Sequence, residues 1–261
     1  MILVHLRFYE ELNEFLSPER RKVRFEKQLL LPTTVKDLIQ SCGVPHTEVD
    51  LILVNGNSVD FDYRVGDGDD VSVYPVFETL DISDVTRLQE RPLRRLRFVA
   101  DSHLGKLVRR LRLLGLDVTF DKHVRGRELI EQAVSQKRVL LTRNRQLLMA
   151  NIVQRGYCVR SDQPDEQVVE VIRRFDLGNN LKPFSRCLRC NGLLKPVPKE
   201  DVLHRLPPMT RETYDKFFQC QNCRKIYWPG SHFEKLEQFV ETVHRRFASK
   251  RNTNHQLKHS D

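Results

Sequence analysis

Two short cysteine pairs constrain this chain more than anything else in it. Cys187-Leu188-Arg189-Cys190 and Cys220-Gln221-Asn222-Cys223 stand 29 residues apart in a segment, 180–233, with little hydrophobic periodicity of its own. Two thiolates three residues apart on a tight turn supply half of a tetrahedral site, and two such turns complete it. The pattern calls for one Zn²⁺ held by Cys187, Cys190, Cys220 and Cys223. Four protein ligands leave no open position, so the ion would be structural, contributing about 10 kcal/mol of apparent binding energy to a segment without a sizeable core. A redox CxxC or unrelated buried thiols are the competing readings. Cys42 and Cys158 lie in apolar surroundings and read as core residues. His232 is a surplus candidate ligand once four cysteines are present.

Charge divides the chain. Residues 1–80 carry 8 Lys+Arg and 14 Asp+Glu, and residues 81–261 carry 36 and 21. A cationic surplus of that size suits an anionic partner, most commonly nucleic acid. The densest run, Arg87 to Arg112, has nine basic residues against Glu90 and Asp101. A solvated helix face would explain a charge run equally well. No apolar run reaches the roughly 18–20 residues that cross a bilayer. The first residues, MILVHLRFYEELNEF, are too charged for a secretory signal. With paired cysteines and no export signal, a cytoplasmic protein without a membrane partner is expected.

In the acidic part, Ile2, Val4, Leu6 and Phe8 alternate as a half-buried strand does. A second strand fits Lys22–Glu26. Thr33-Thr34 cap a helix with Val35, Leu38, Ile39 and Cys42 on one face, stopped by Gly43 and Pro45. Leu51–Val54 and Val71–Val76 read as strands, the first ending in the turn Asn55-Gly56. The order β-β-α-β-β is that of a β-grasp. The run LILVNGNSVDFDYRVGDGDDVSVYP resembles the ubiquitin-like sulfur-carrier proteins, whose working part is a C-terminal Gly-Gly. Phe77-Glu78-Thr79 stands where that tail would be, so a module that docks a protein partner is expected instead.

From Leu96 the pattern alternates strand and helix: Leu96–Ala100, then a helix from Asp101-Ser102 carrying Leu104, Leu107, Val108, Leu111 and Leu114; Val118–Phe120, then Gly126–Gln136 with Leu129, Ile130, Ala133 and Val134 inward. Arg138–Leu141 and Tyr157–Val159 follow, each with a further helix. Such βα units imply a parallel sheet covered by helices. Ligands bind such sheets at the carboxyl ends of the strands. Asp101, Thr142–Arg145 and Asp162 fall at three of those ends. Carboxylates there in a basic surround suit Mg²⁺ or Mn²⁺, which against a phosphodiester promotes hydrolysis. Asp101 and Asp162 read equally well as helix N-caps. His103 lies near the same end, in reach of phosphate or simply on the surface.

RFVADSHLGKLVRRLRLLGLDVTF, VLLTRNRQLL, FSRCLRCNGLLKPV and FFQCQNCRKIYWPGSHFEKL resemble, in turn, the Mut-seven C-terminal domain family. That family joins a PIN-like ribonuclease fold to a four-Cys zinc ribbon, and some members carry a ubiquitin-like domain in front. The resemblance implies a metal-dependent RNase with Asp101 as its first acid. It places a second acid in the helix after the second strand, at Glu128, with Asp121 a weaker match. The family reads Thr-Arg-Asp-Arg after the third strand. Here Asn144 replaces the acid, offering a carbonyl oxygen but no charge, and Asp162 is the residue that would compensate.

The expected architecture is therefore α/β: a β-grasp over 1–80, a basic linker over 81–94, a PIN-like parallel-sheet domain over 95–178, a zinc ribbon with a C-terminal helix over 179–247, and a disordered polar tail over 248–261. Two functions compete. One is an RNase with Asp101, Glu128, Asn144 and Asp162 around the metal and Lys106, Arg109, Arg110, Arg143 and Arg145 on the RNA backbone. The other is a non-catalytic RNA-binding adaptor. Tyr227, Trp228 and Phe233 either stack on unpaired bases or pack the ribbon core. Nothing in the sequence selects an oligomeric state.

Overall fold

The computed structural model describes residues 1–75, 86–88 and 96–248. Most of the expected basic linker, the Phe77-Glu78-Thr79 segment and nearly all of the expected polar tail lie outside the described residues. The strands of the first segment are β1 (Ile2–Phe8), β2 (Phe25–Leu29), β3 (Val49–Val54), β4 (Asn57–Ser58) and β5 (Asp70–Pro75), with the helix α1 (Val35–Gln40) between β2 and β3. The middle of the chain forms β6 (Phe98–Ala100), α2 (Gly105–Leu113), β7 (Val118–Thr119), α3 (Gly126–Ser135), β8 (Val139–Thr142), α4 (Arg145–Leu148), β9 (Gly156–Cys158) and α5 (Pro164–Arg174). The last part forms β10 (Leu194–Val197), α6 (Lys199–Val202), α7 (Pro208–Thr213), β11 (Phe217–Cys220), β12 (Ile226–Tyr227) and α8 (Phe233–Ala248).

The first five strands make one mixed sheet in the order β2-β1-β5-β3-β4, with β1 and β5 parallel at its centre and the other pairs antiparallel. This is the β-grasp arrangement read from the sequence. Thr34 caps α1 by accepting the Asp37 N–H at 3.1 Å, and Val35, Leu38 and Ile39 are buried against Val4, Leu6 and Phe8. The second strand begins three residues later than Lys22–Glu26. Two 3₁₀ turns, Glu10–Phe15 and Pro18–Arg20, fill the connection, and Lys22 takes a left-handed φ of 59° that delays the extended run.

Further along, β6, β8 and β9 lie side by side in parallel, Phe98 opposite Val139 and Leu141 opposite Tyr157. All their residues are buried, as a sheet covered on both faces requires. Asp101-Ser102 opens a 3₁₀ turn, Ser102–Leu104, and the α-helix itself starts at Gly105. Val134, expected inward, is 43% exposed. It sits on the margin of the Leu129–Ala133 stripe, next to the helix end.

Described residues fall into two compact units: 1–103 with 122–160, and 104–121 with 161–248. The first contains the β-grasp together with β6, α3, β8, α4 and β9, and one hydrophobic core runs through all of it, from Val4 and Ile52 to Leu140 and Cys158. The joint inside this unit is polar and buried. Strand β9 turns its free edge toward the turn His46–Glu48, where the Glu48 carboxylate accepts the Cys158 N–H at 2.6 Å and the Arg160 guanidinium at 2.9 Å. His46 Nε2 lies 2.8 Å from the Val153 carbonyl, and Gln40 donates to the Met149 carbonyl at 2.9 Å. Arg160 also reaches Glu14 at 3.0 Å and stacks on Phe15. An unpaired strand edge invites association, and here side chains of the β-grasp satisfy it.

Burial pushes the His46 imidazole down to about 4, and Lys36 adds to the effect against the Val153 hydrogen bond. His46 is therefore neutral in the fold, with Nε2–H donating. Its contribution is fully present above the unfolded value near 6.5 and is lost as the pH falls toward 4, because only the unfolded chain takes up the proton. The expected loss is about 3 kcal/mol. Thermal unfolding at pH 7.5 and pH 4.5 checks it: His46→Gln should flatten that slope, and an unchanged slope refutes the assignment.

In the second unit, α2 packs against α5, joined by Arg110 to Asp165 at 2.7 Å. Gly115 ends α2 with φ 87°, and a Cβ there would meet the Lys182 carbonyl oxygen at 2.2 Å, so only glycine fits. Strands β10, β11 and β12 form an antiparallel ribbon over a small core of Val202, Leu206, Phe217 and Ile226. Among the described residues no helix is long and apolar enough to cross a membrane.

Candidate functional site

Asp101 ends β6, and its N–H donates to the Leu141 carbonyl, which sets the residue at the mouth of the parallel strands. Its side chain is buried, at 7% exposure. The Thr142 hydroxyl, at the end of β8, donates to Asp101 Oδ2 at 2.7 Å, and the Ser102 hydroxyl donates to Oδ1 at 3.1 Å. Thr142 Oγ1 in turn accepts the Asn144 N–H at 3.0 Å. Asp101, Thr142 and Asn144 thus form one hydrogen-bonded chain across two strand ends. A buried carboxylate with two hydroxyl donors is held in one orientation and keeps lone pairs for a further ligand.

Asn144 caps α4, its Oδ1 accepting the Gln146 N–H at 3.0 Å. Glu128 lies exposed in the first turn of α3 and, among the described residues, has no hydrogen-bond or ion-pair partner. At the other end of α3, the Gln136 carbonyl accepts from Arg97 at the start of β6. The helix therefore runs antiparallel to the strands, and its first turn is at the same end of the sheet as Asp101. Asp162 belongs to the second unit, in the turn before α5, where Gln163 and not Asp162 is the N-cap.

The basic residues divide by what they already touch. Lys106 and Arg109 are exposed, and Arg143 is exposed with an interaction of its own. Arg110 is held by Asp165 and lies 5.4 Å over the Phe239 ring. Arg145 lies 4.8 Å over Phe15 and donates to the Phe15 carbonyl at 3.2 Å. Arg112, counted in the sequence as part of the basic run, is 3% exposed. Its guanidinium donates to the carbonyls of Val118, Leu188 and Arg189, tying α2 to the first cysteine turn. Burial lowers its pKa, offset by Cys190 and Cys187. The signal was present: Arg112 adjoins Leu111 on the apolar stripe, where a solvated charge does not belong.

The four paired cysteines converge, their sulfurs all within 4.8 Å of one another. Cys187 Sγ lies 3.6 Å from Cys223 Sγ, and Cys190 Sγ lies 3.4 Å from Cys220 Sγ. Four sulfurs about 2.3 Å from a common centre stand roughly 3.8 Å apart, so the donor set fits a tetrahedral ion. The two turns repeat one backbone scheme. Asn191 N–H donates to the Cys187 carbonyl and Arg224 N–H to that of Cys220, while Cys187 and Cys220 donate to Gly192 and Lys225. Asn191 and Arg224 both take the left-handed φ that closes such a turn, 70° and 60°. Burial pushes the Cys187 thiol up, but the Tyr227 hydroxyl at 3.1 Å and the N–H groups of Cys190 and Arg189 outweigh it and bring it to about 6. Cys158 is buried in the core and Cys42 packs against it, both apart from the cluster.

Gly192 is a test of this centre. A Cβ there would meet Cys220 Sγ at 2.8 Å and the Asn222 side chain equally closely. Gly192→Ala is expected to lower bound metal below one equivalent and to cost about 1–3 kcal/mol. Elemental analysis beside thermal unfolding checks both, and full metal content at unchanged stability refutes the geometry.

The family model described as the Mut7-C RNAse domain matches residues 96–240, more than half of the chain. The chain belongs to the Mut7-C family. A second model, Mut7-C ubiquitin, matches residues 1–81 in front of it. No curated protein and no solved structure gives a match. The Mut7-C assignment agrees with the observed order of β-grasp, parallel sheet and four-Cys ribbon, and it supports a nuclease-like function. The sequence reading missed Thr142 as the group that orients Asp101. A lone hydroxyl closing the apolar strand Val139–Leu141 was the available sign.

Proposed function

We propose that this chain is a cytoplasmic metal-dependent ribonuclease that hydrolyses phosphodiester bonds of RNA, with a structural Zn²⁺ in the four-Cys ribbon. The observation that carries the reading is the buried Asp101 carboxylate, oriented by Thr142 and Ser102 at the mouth of a parallel sheet in a Mut7-C RNAse domain. Asp101 and Glu128 would hold a Mg²⁺ or Mn²⁺ ion, with the Asn144 carbonyl as a neutral donor; Asp162, the compensating acid of the sequence reading, belongs to the other unit. The bound ion supplies Lewis acidity for the hydrolysis. Thr142 keeps Asp101 in place without carrying charge itself. Lys106, Arg109, Arg110, Arg143 and Arg145 are the residues assigned to the RNA backbone, and Arg110 would leave Asp165 and Arg145 would leave Phe15 to reach it.

Asn144 favours a second reading. Its Oδ1 is already engaged with the Gln146 N–H, so a chain with one fewer acid here could bind RNA without cutting it. Cleavage of a labelled single-stranded RNA, with Mn²⁺, with Mg²⁺ and with neither, separates the two. The nuclease cuts only with the ion; the adaptor binds equally in all three and cuts in none. Asn144→Asp keeps the cap, because Asp caps a helix as Asn does, and is expected to raise activity about tenfold at low Mg²⁺. If cleavage appears only in Asn144→Asp, the natural site is inactive and the adaptor reading replaces the first.

A further inference from the structure

We infer that the ribbon unit carries a base-stacking groove for single-stranded nucleic acid, separate from the Asp101 site. This rests on the reading of the chain as one that handles RNA. The groove, about 1060 Å³, runs beside β11, β12 and the start of α8. That is at the upper end of the roughly 300–1,000 Å³ of a small-molecule pocket.

Its lining is mostly apolar, with aliphatic side chains such as Leu113, Leu194 and Ile226, and to these it adds aromatic faces and cations. Phe218, Tyr227 and Trp228 present aromatic surface, and Phe218 is 38% exposed on the ribbon face. Trp228 is half-buried, packed by one side against Phe217 and lining the groove with the rest. Tyr227 is fixed by its hydroxyl on Cys187 Sγ, and the Lys225 ammonium lies 5.4 Å from its ring. Lys216 and Lys225 are exposed at the groove, and among the described residues none that line it is acidic. Exposed aromatic faces beside cations, with no carboxylate to repel a phosphate, match unpaired bases on an anionic backbone. An acidic peptide would satisfy the cations but leave the aromatic faces without planar partners. A fatty acyl chain would need only one cation.

The chain has a single tryptophan, Trp228, so its fluorescence reports the groove directly. The test titrates zinc-loaded full-length protein, without added divalent ion, with a uridine decamer, inorganic polyphosphate, laurate and a polyglutamate peptide. Dye-labelled decamer anisotropy is read in parallel. The expected result is saturable quenching by the decamer and none by polyphosphate. Phe218→Ala should weaken the quenching titration about tenfold, and its folding is checked by circular dichroism. Lys225→Gln should weaken it in a salt-dependent way.

Decamer binding in anisotropy without a Trp228 response overturns the groove and leaves the RNA reading standing. Quenching by laurate or polyglutamate but not by the decamer overturns it in favour of that ligand. No decamer binding by either readout overturns both. Quenching in a protein that cuts no RNA supports the groove and removes the nuclease.

Discussion

Asp101→Asn is expected to reduce RNA cleavage by about a thousandfold or more while shifting thermal stability by less than about 1 kcal/mol. The asymmetry follows from the surroundings of the carboxylate. Thr142 and Ser102 are hydroxyls, each able to donate or accept. An amide of the same shape keeps a hydrogen bond to Thr142 through its oxygen and can donate its NH₂ toward Ser102. Burial at 7% exposure is therefore tolerated without the charge. Metal binding is not, because the neutral amide is a far weaker ligand for Mg²⁺ or Mn²⁺. The single-stranded RNA assay in Mn²⁺, run beside thermal unfolding, measures both quantities. Equal cleavage by the variant would falsify the assignment of Asp101. Thr142→Val adds a control: it removes the 2.7 Å donor and leaves the charge, so it should lower cleavage about 10–100-fold.

Much of this was legible in the sequence, for identifiable reasons. Alternation in Ile2–Phe8 and helical spacing in Val35–Ile39 are local signals, and both elements form where those signals place them. The cysteine pairs were legible because a CxxC spacing is local, and their four sulfurs do converge. What the sequence concealed depends on distant partners. Glu48 and Arg160 are 112 residues apart, and His46 and Val153 107 apart. No local pattern marks such pairs, so what the β-grasp touches inside its own unit stayed hidden. In the structure its His46–Glu48 turn and Glu14-Phe15 cover the edge of β9 within one unit, and the core continues from one sheet to the next. Arg145 shows the same thing on a smaller scale. Its place in Thr-Arg-Asn-Arg suggested phosphate, whereas the ring of Phe15, 130 residues away, is what its guanidinium meets.

Loss of the cysteine centre is expected to be the most destructive change to the second unit. Among the described residues, the ribbon's own core cluster is Val202, Leu206, Phe217 and Ile226, small against the ordering of its long connections. A structural Zn²⁺ contributes about 10 kcal/mol of apparent binding energy to such a segment. Cys220→Ser removes one of four ligands and half of the second turn, so β10, β11 and β12 should lose their protection from amide exchange. The effect should reach α2 as well. Arg112 donates to the Leu188 and Arg189 carbonyls inside the first turn. If that turn melts, a guanidinium at 3% exposure loses two of the three carbonyls it donates to, at about 1.5–3 kcal/mol for each hydrogen bond of a charged group. Exchange should therefore rise in 105–113 together with 186–227, and Trp228 emission should shift to longer wavelength. Amides of β1–β5 should keep their protection, since the core of the first unit contains no ribbon residue. Cys158→Ser, outside the four-cysteine cluster, is the control and should retain one equivalent of metal. A chelator-treated protein that keeps its ribbon protection and its emission maximum would show that the four thiols hold the fold without an ion.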